Sequence, residues 1–134
     1  MATAVPAERD AVARAFPGSV REAALPGVTV HEVAGGPGLL AAGVGPALAA
    51  ASTATALTAA ALDGRPYGLV VSAGIAGGFP PHAPLGALVV ADEITAADLG
   101  AQTADGFLPV TDLGFGTVTH HPPAALVRDA ATAA

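Results

Sequence analysis

The sequence predicts an α/β fold. Short apolar runs of strand length alternate with longer alanine-rich stretches of helix length, and glycine-rich turns sit where a strand hands over to a helix. The composition agrees: 52% of the 134 residues are hydrophobic and 12% are charged, which suits one globular domain with a buried core. Aromatic residues make up only 4%, so that core must be built from Ala, Val and Leu, with little apolar area per residue.

Taken in order, Pro6 suits the first turn of a helix, where its missing N–H costs nothing. Ala7 to Phe16 follows as that helix, with Val12 and Phe16 on one face and Pro17-Gly18 as its stop. Val28 to Val33 alternates as a half-exposed strand, Gly35 to Gly38 is a turn, and Leu39 to Val44 reads as a short buried strand. Gly43-Val44-Gly45-Pro46 opens a second helix over Ala47 to Leu62, with Leu48, Ala51, Ala59 and Leu62 available for packing. Its threonines lower its intrinsic helicity, so tertiary contacts must hold it. Asp63-Gly64 ends it, and Leu69 to Ser72 reads as a central strand buried on both faces. A glycine-rich loop spans Gly74 to Gly78, and Leu88 to Ile94 is a further strand. Thr95 to Phe107 is expected to be irregular, Gly116 to His120 a short strand, and Pro122-Pro123 the start of a helix running to Ala134 without a cap.

Charge and residue content exclude several function classes. The net charge is −6, lysine is absent, and five arginines are scattered along the chain. Nothing neutralises a run of phosphates, which argues against nucleic acid and against an anionic membrane surface as partners. Without cysteine there is no disulfide, thiolate metal site or thiol nucleophile. Met1 to Val12 lacks a signal-peptide layout, and the apolar runs are too short to span a bilayer. The expectation is a soluble cytoplasmic protein.

Several motifs carry possible chemistry. Gly43-Val44-Gly45 would let a backbone approach a ligand at a helix N-terminus. Leu48 stands where a dinucleotide fingerprint needs its third glycine, and tight strand-to-helix packing explains the turn equally well. Ser72 to Phe79 places three glycines after an apolar strand with no bulky aromatic side chain before Phe79. Such a ribbon lets a ligand lie against main chain or offers N–H donors to an anion. Asp92-Glu93 at a strand end could be an acid/base pair or a cation site, but a solvated strand end accounts for both acids. Glu8, near a helix start, is by itself a capping and dipole-stabilising residue. His120-His121 point to opposite faces of a strand and form no ligand set, so no metal is expected. His31 and His82 read as isolated surface residues.

The order and spacing of four segments resemble the purine nucleoside phosphorylase/nucleosidase superfamily. Thr3-Ala4-Val5-Pro6-Ala7-Glu8 resembles the opening of its bacterial nucleosidases, and Gly43 to Ala47 its glycine turn before a long helix. Ser72 to Gly78 resembles its glycine-rich strand end, and Gly86 to Glu93 the strand that follows. Within the superfamily, Ala91 to Ala101 followed by Asp105-Gly106-Phe107 is most similar to the futalosine hydrolases of the alternative menaquinone pathway.

The resemblance implies an α/β/α layered domain around a mixed, twisted sheet, of which residues 1–134 would be the N-terminal part. It implies hydrolysis of the N-glycosidic bond of futalosine with release of hypoxanthine, using neither metal nor organic cofactor. Glu8 would be the catalytic group that orients and deprotonates water. Gly74, Ile75, Ala76 and Gly77 would form the wall beneath the ribose. Leu99, Gln102 and Phe107 would border the substrate's tail, near an interface of a homo-oligomer. Ile75 stands where many relatives carry a hydroxyl, which disfavours phosphate as the nucleophile. The family's ribose clamp and purine-protonating acid have no counterpart here, so the chain alone is expected to be inactive and marginally folded. A nucleosidase acting on methylthioadenosine and adenosylhomocysteine, a nucleoside phosphorylase, and a non-catalytic nucleotide-binding fragment remain as alternatives.

Overall fold

The computed structural model describes residues 1–133, and they form two compact units, Met1–Ala76 and a second beginning at Gly77. The described residues are mixed α/β with three helices and a mixed four-stranded sheet.

The first unit runs β1 (Ala2–Thr3), α1 (Pro6–Ala13), β2 (Val20–Leu25), β3 (Val28–Val33), β4 (Gly38–Ala41) and α2 (Pro46–Leu62). The strand order is β1-β4-β3-β2. β1 lies parallel to β4, while β4, β3 and β2 form an antiparallel meander. The register explains the core. Ala23 opposes Val30, Val30 opposes Leu40, and Leu40 opposes Ala2, so one apolar row crosses all four strands. Val30 and Leu40 cluster with Ala42 and with Ala56 of α2, and Ala49 packs against them. The alternation of a pleated strand turns Leu39 and Val33 to the opposite face, where both are also buried.

Several sequence expectations are corrected. The first helix stops at Ala13, and Phe16 is reached through turns in which Ala15 and Phe16 donate to Val12 and Ala13 carbonyls. β2 was not expected, because Val20–Leu25 mixes charge and alanine without clean alternation. Its signal was Pro26-Gly27, a two-residue turn before a valine-rich strand, with Gly27 at φ 76°. Arg21 pairs with Glu32 and Glu22 with His31 across the hairpin. His31 is therefore half-buried, not a free surface residue.

The strand expected over Leu39 to Val44 leaves the sheet after Ala41, and Val44 is exposed. Gly43 and Gly45, at φ 97° and 89°, supply the turn into α2 in a region side chains rarely enter. On α2 the buried residue is Ala56, whereas Leu48, Ala51 and Leu62 are exposed and Ala59 is half-buried. A helix apolar nearly all round has no direction readable from its sequence, and the sheet selects the face of small side chains that allows close approach. Leu69 to Ser72 is not a buried central strand. Ser72 makes a single parallel bridge to Ala2, and Leu69, Val70 and Val71 are exposed.

The second unit contains β5 (Ile94–Thr95), β6 (Gly100–Thr103), β7 (Gly106–Pro109), β8 (Thr119–His120) and α3 (Ala124–Ala133). β5 pairs with β8, and β6 with β7, both antiparallel. The region expected to be irregular thus holds a hairpin whose turn is Ala104-Asp105, with Gly106 at φ 129°. The strand expected over Leu88 to Ile94 is reduced to its last residue, and Leu88 and Val89 are exposed. The end of the last expected helix, Ala134, lies outside the described residues.

Leu39 is 1% exposed, so Leu39→Ala removes a large side chain from the tightest part of the first unit. It should cost roughly 2–5 kcal/mol, read as a lower urea midpoint. A change below about 0.5 kcal/mol would show that this face carries no core.

Candidate functional site

The site is built where β1 passes into α1. Val5 is the N-cap, in extended conformation (φ −130°, ψ 158°), and Pro6 begins the helix. Glu8 is the third helical residue, close enough to fold back over the helix start. Its Oε2 accepts hydrogen bonds from the backbone N–H of Ala4 (3.0 Å) and of Val5 (3.2 Å). Its Oε1 turns the other way and accepts from the backbone N–H of Ile75 at 2.8 Å.

Ile75 is within reach because the ribbon runs beside β1. Ala2 donates to the Val71 carbonyl (2.8 Å) and Ala73 donates to the Ala2 carbonyl (2.9 Å). Gly74 then passes the carboxylate closely, since a Cβ built there would lie 2.9 Å from Glu8 Oε1. Glycine leaves this space free without an unusual backbone conformation, and a Cβ there would press on the flexible end of the Glu8 side chain. The three peptide donors hold Glu8's carboxyl below its ordinary value. Ile75 contributes most, then Val5, while partial desolvation opposes and Ala4 adds a smaller lowering. The positive end of the helix dipole acts in the same direction. The result is a fixed carboxylate, ionised at neutral pH, beside an exposed ribbon on which the Ile75 side chain is 92% exposed. Oε2 already accepts two bonds, whereas Oε1 accepts one and retains acceptor capacity for a further donor such as water.

The structure thus brings Glu8, Gly74 and Ile75 together, with exposed Ala76 at the end of the first unit. Gly77 opens the second unit. Leu99, Gln102 and Phe107 belong to that unit and gather on one hairpin. Gln102 opposes Phe107 across β6 and β7, and the Leu99 carbonyl accepts from Val110 N–H at 3.1 Å. The Ala4 and Val5 N–H groups escaped sequence reasoning; a glutamate at the third position after a proline-started helix was their signal.

Other candidate groups stay separate. Glu93 accepts from the Thr95 hydroxyl (3.1 Å), and His121 Nδ1 lies 3.3 Å from the Asp92 carbonyl oxygen, as suits a solvated strand end. A cleft of about 680 Å³ lies elsewhere in the first unit, between the sheet and the C-terminal half of α2. Its charges are mutually paired: Arg65 with Asp63 and Glu32, and Arg21 with Glu32.

The chain is 76% identical over 133 residues to the futalosine hydrolase of Streptomyces coelicolor, which covers 99% of this chain and 57% of that protein. It is 48% identical over 56 residues to the futalosine hydrolase of Acidothermus cellulolyticus, covering 42% of this chain and 22% of that protein. The chain therefore spans little more than half the length of the first relative and less of the second. No protein-family model matches it, and no solved structure does. The resemblance to futalosine hydrolases read from the sequence is borne out.

Two outcomes follow from the geometry. Because Glu8's folded value lies below its unfolded one of 4.5, its contribution to stability is fully present above that pH and is lost as pH falls through the folded value. The stability gap between wild type and Glu8→Gln should therefore be larger near neutrality than at about pH 3, read by urea melts; an equal gap at both would refute the assignment. Gly74→Ala should displace the carboxylate and raise Glu8's titration toward 4.5, followed by carboxyl-carbon NMR. An unmoved titration would mean that the ribbon gives way instead.

Proposed function

We propose that this chain is the N-terminal part of a nucleosidase with a nucleoside phosphorylase-like α/β/α fold, which hydrolyses the N-glycosidic bond of futalosine and releases hypoxanthine for the menaquinone pathway that uses futalosine. The observation that carries the reading is the Glu8 carboxylate held between the start of α1 and the glycine ribbon. The similarity to two futalosine hydrolases supports the substrate.

Cleaving such a bond develops positive charge on the ribose and negative charge on the departing base, as in other glycosyl hydrolyses. A fixed carboxylate beneath the sugar stabilises that positive charge and orients a water toward the anomeric carbon. A carboxylate with a lowered proton affinity is a weak base toward ordinary water. Water attacking a sugar cation becomes strongly acidic as its bond to carbon forms, so Glu8 accepts the proton late. Gly74, Ile75, Ala76 and Gly77 supply the wall beneath ribose and water. Leu99, Gln102 and Phe107 border the substrate's tail in a homo-oligomer. The chain spans 57% of its Streptomyces relative, and the 134 residues alone are expected to release no hypoxanthine. The enzyme works in the cytoplasm.

In the full-length protein, Glu8→Gln should keep KM within a few-fold and lower kcat by about 10²–10⁴. Turnover close to wild type would reduce Glu8 to a helix cap. Because Ile75 offers no hydroxyl to phosphate, futalosine cleavage should proceed without phosphate and yield the free sugar. A sugar 1-phosphate, identified by mass spectrometry, would make the protein a phosphorylase.

A further inference from the structure

Among the described residues Thr3 is the buried polar one, 4% exposed. A hydroxyl taken out of water costs stability unless it is hydrogen-bonded, so what Thr3 bonds to matters. Its Oγ1 donates to the Val5 carbonyl at 3.2 Å, with the Leu40 carbonyl a longer alternative at 3.4 Å. A hydroxyl has one proton to give, and Val5 is the nearer acceptor.

Val5 is the N-cap of α1, and the peptide units on its two sides are held separately. On one side, the Ala4 carbonyl accepts from Gly43 N–H at 3.1 Å, and the Val5 N–H of the same unit donates to Glu8. On the other side, the Val5 carbonyl accepts from Arg9 N–H at 3.2 Å and from the Thr3 hydroxyl. The Arg9 bond exists only while the first helical turn is formed. The Thr3 bond instead ties the N-cap to the sheet, because the Thr3 carbonyl accepts from Ala42 N–H at 2.7 Å. Thr3 is thus the side chain that connects the sheet edge to the N-cap carbonyl at which α1 begins.

We propose that Thr3 is a positioning residue for Glu8: its hydroxyl clamps the Val5 carbonyl to the sheet and so fixes the start of α1, the helix that carries the Glu8 carboxylate to its three N–H donors. The catalytic consequence rests on Glu8 acting as proposed above; the positioning itself does not. Loss of the clamp frees the Val5 carbonyl and lets the start of α1 swing, while the Ala4 and Val5 N–H groups stay tied to the sheet through the Thr3 and Ala4 carbonyls; the Glu8 carboxylate then shifts relative to these donors and to Ile75. Methyl packing cannot replace this, since the clamp is directional.

The test uses the full-length protein with Thr3→Val, which keeps shape and removes the hydroxyl, Thr3→Ser, which keeps the hydroxyl, and Thr3→Ala as a second hydroxyl-free variant. Two quantities are read: the Glu8 titration by carboxyl-carbon NMR, and kcat and KM on futalosine. Thr3→Val and Thr3→Ala should raise the Glu8 titration toward its ordinary value and lower kcat roughly three- to tenfold with KM nearly constant. Thr3→Ser should restore both. A Glu8 titration unchanged in folded Thr3→Val overturns the proposal, as does loss of the fold in both hydroxyl-free variants, which would make Thr3 a folding element only. If the titration moves while Glu8→Gln remains active, Thr3 still positions the carboxylate and it is the catalytic reading of Glu8 that fails.

Discussion

The carboxylate of Glu8 ties together two parts of the first unit that are far apart in sequence. One oxygen satisfies N–H groups at the start of α1, and the other reaches the N–H of Ile75, 67 positions along the chain. Peptide donors at a helix start have no partners within the helix, and a short exposed ribbon has no ladder to satisfy its own. A single anionic side chain answers both needs. In doing so it bridges helix and ribbon across the space that the absent side chain of Gly74 leaves free.

That arrangement depends on the sheet behind it. β1 is two residues long, yet it touches β4 on one side and the Ser72 bridge on the other. The apolar row Ala23–Val30–Leu40–Ala2 anchors its register. A slip of one residue in β1 would exchange buried Thr3 for its neighbours and carry the Ala4 and Val5 N–H groups away from Glu8. The core of small aliphatic side chains therefore holds the Glu8 carboxylate's donors in place through register. The cleft near α2 is lined by the paired charges of Arg21, Arg65, Glu32 and Asp63, whereas the Glu8 site is made from one carboxylate and main-chain donors.

Legibility varied with the kind of signal. β3 was read at its full extent because Val-Thr-Val-His-Glu-Val alternates and is bounded by glycine. α2 was read to within one residue because proline and glycine punctuate it. β2 was missed because its stability comes from cross-strand partners in β3, including Arg21 with Glu32, which no local pattern announces. Leu69 to Ser72 and Leu88 to Ile94 were read as strands from apolar β-rich composition. Composition records only a tendency, and a ladder needs a neighbouring strand to bond. At the site, the glycine run and Glu8 were both singled out, but sequence left the glutamate suspended between helix cap and catalytic group. In the structure it caps the helix and binds the ribbon at once.

The sequence alone determined the α/β character, the three helices, the turns that open α2, and the similarity to futalosine hydrolases. All of these are written in local periodicity, in glycine and proline, or in the order of short motifs. Tertiary structure decided which face of α2 is buried, that β2 joins β3 and β4 in the four-stranded sheet, and that Glu8, Gly74 and Ile75 meet. Those outcomes rest on hydrogen bonds and packing between residues tens of positions apart. Peptide N–H groups are the same at every residue, so only the folded chain specifies which of them a carboxylate will find.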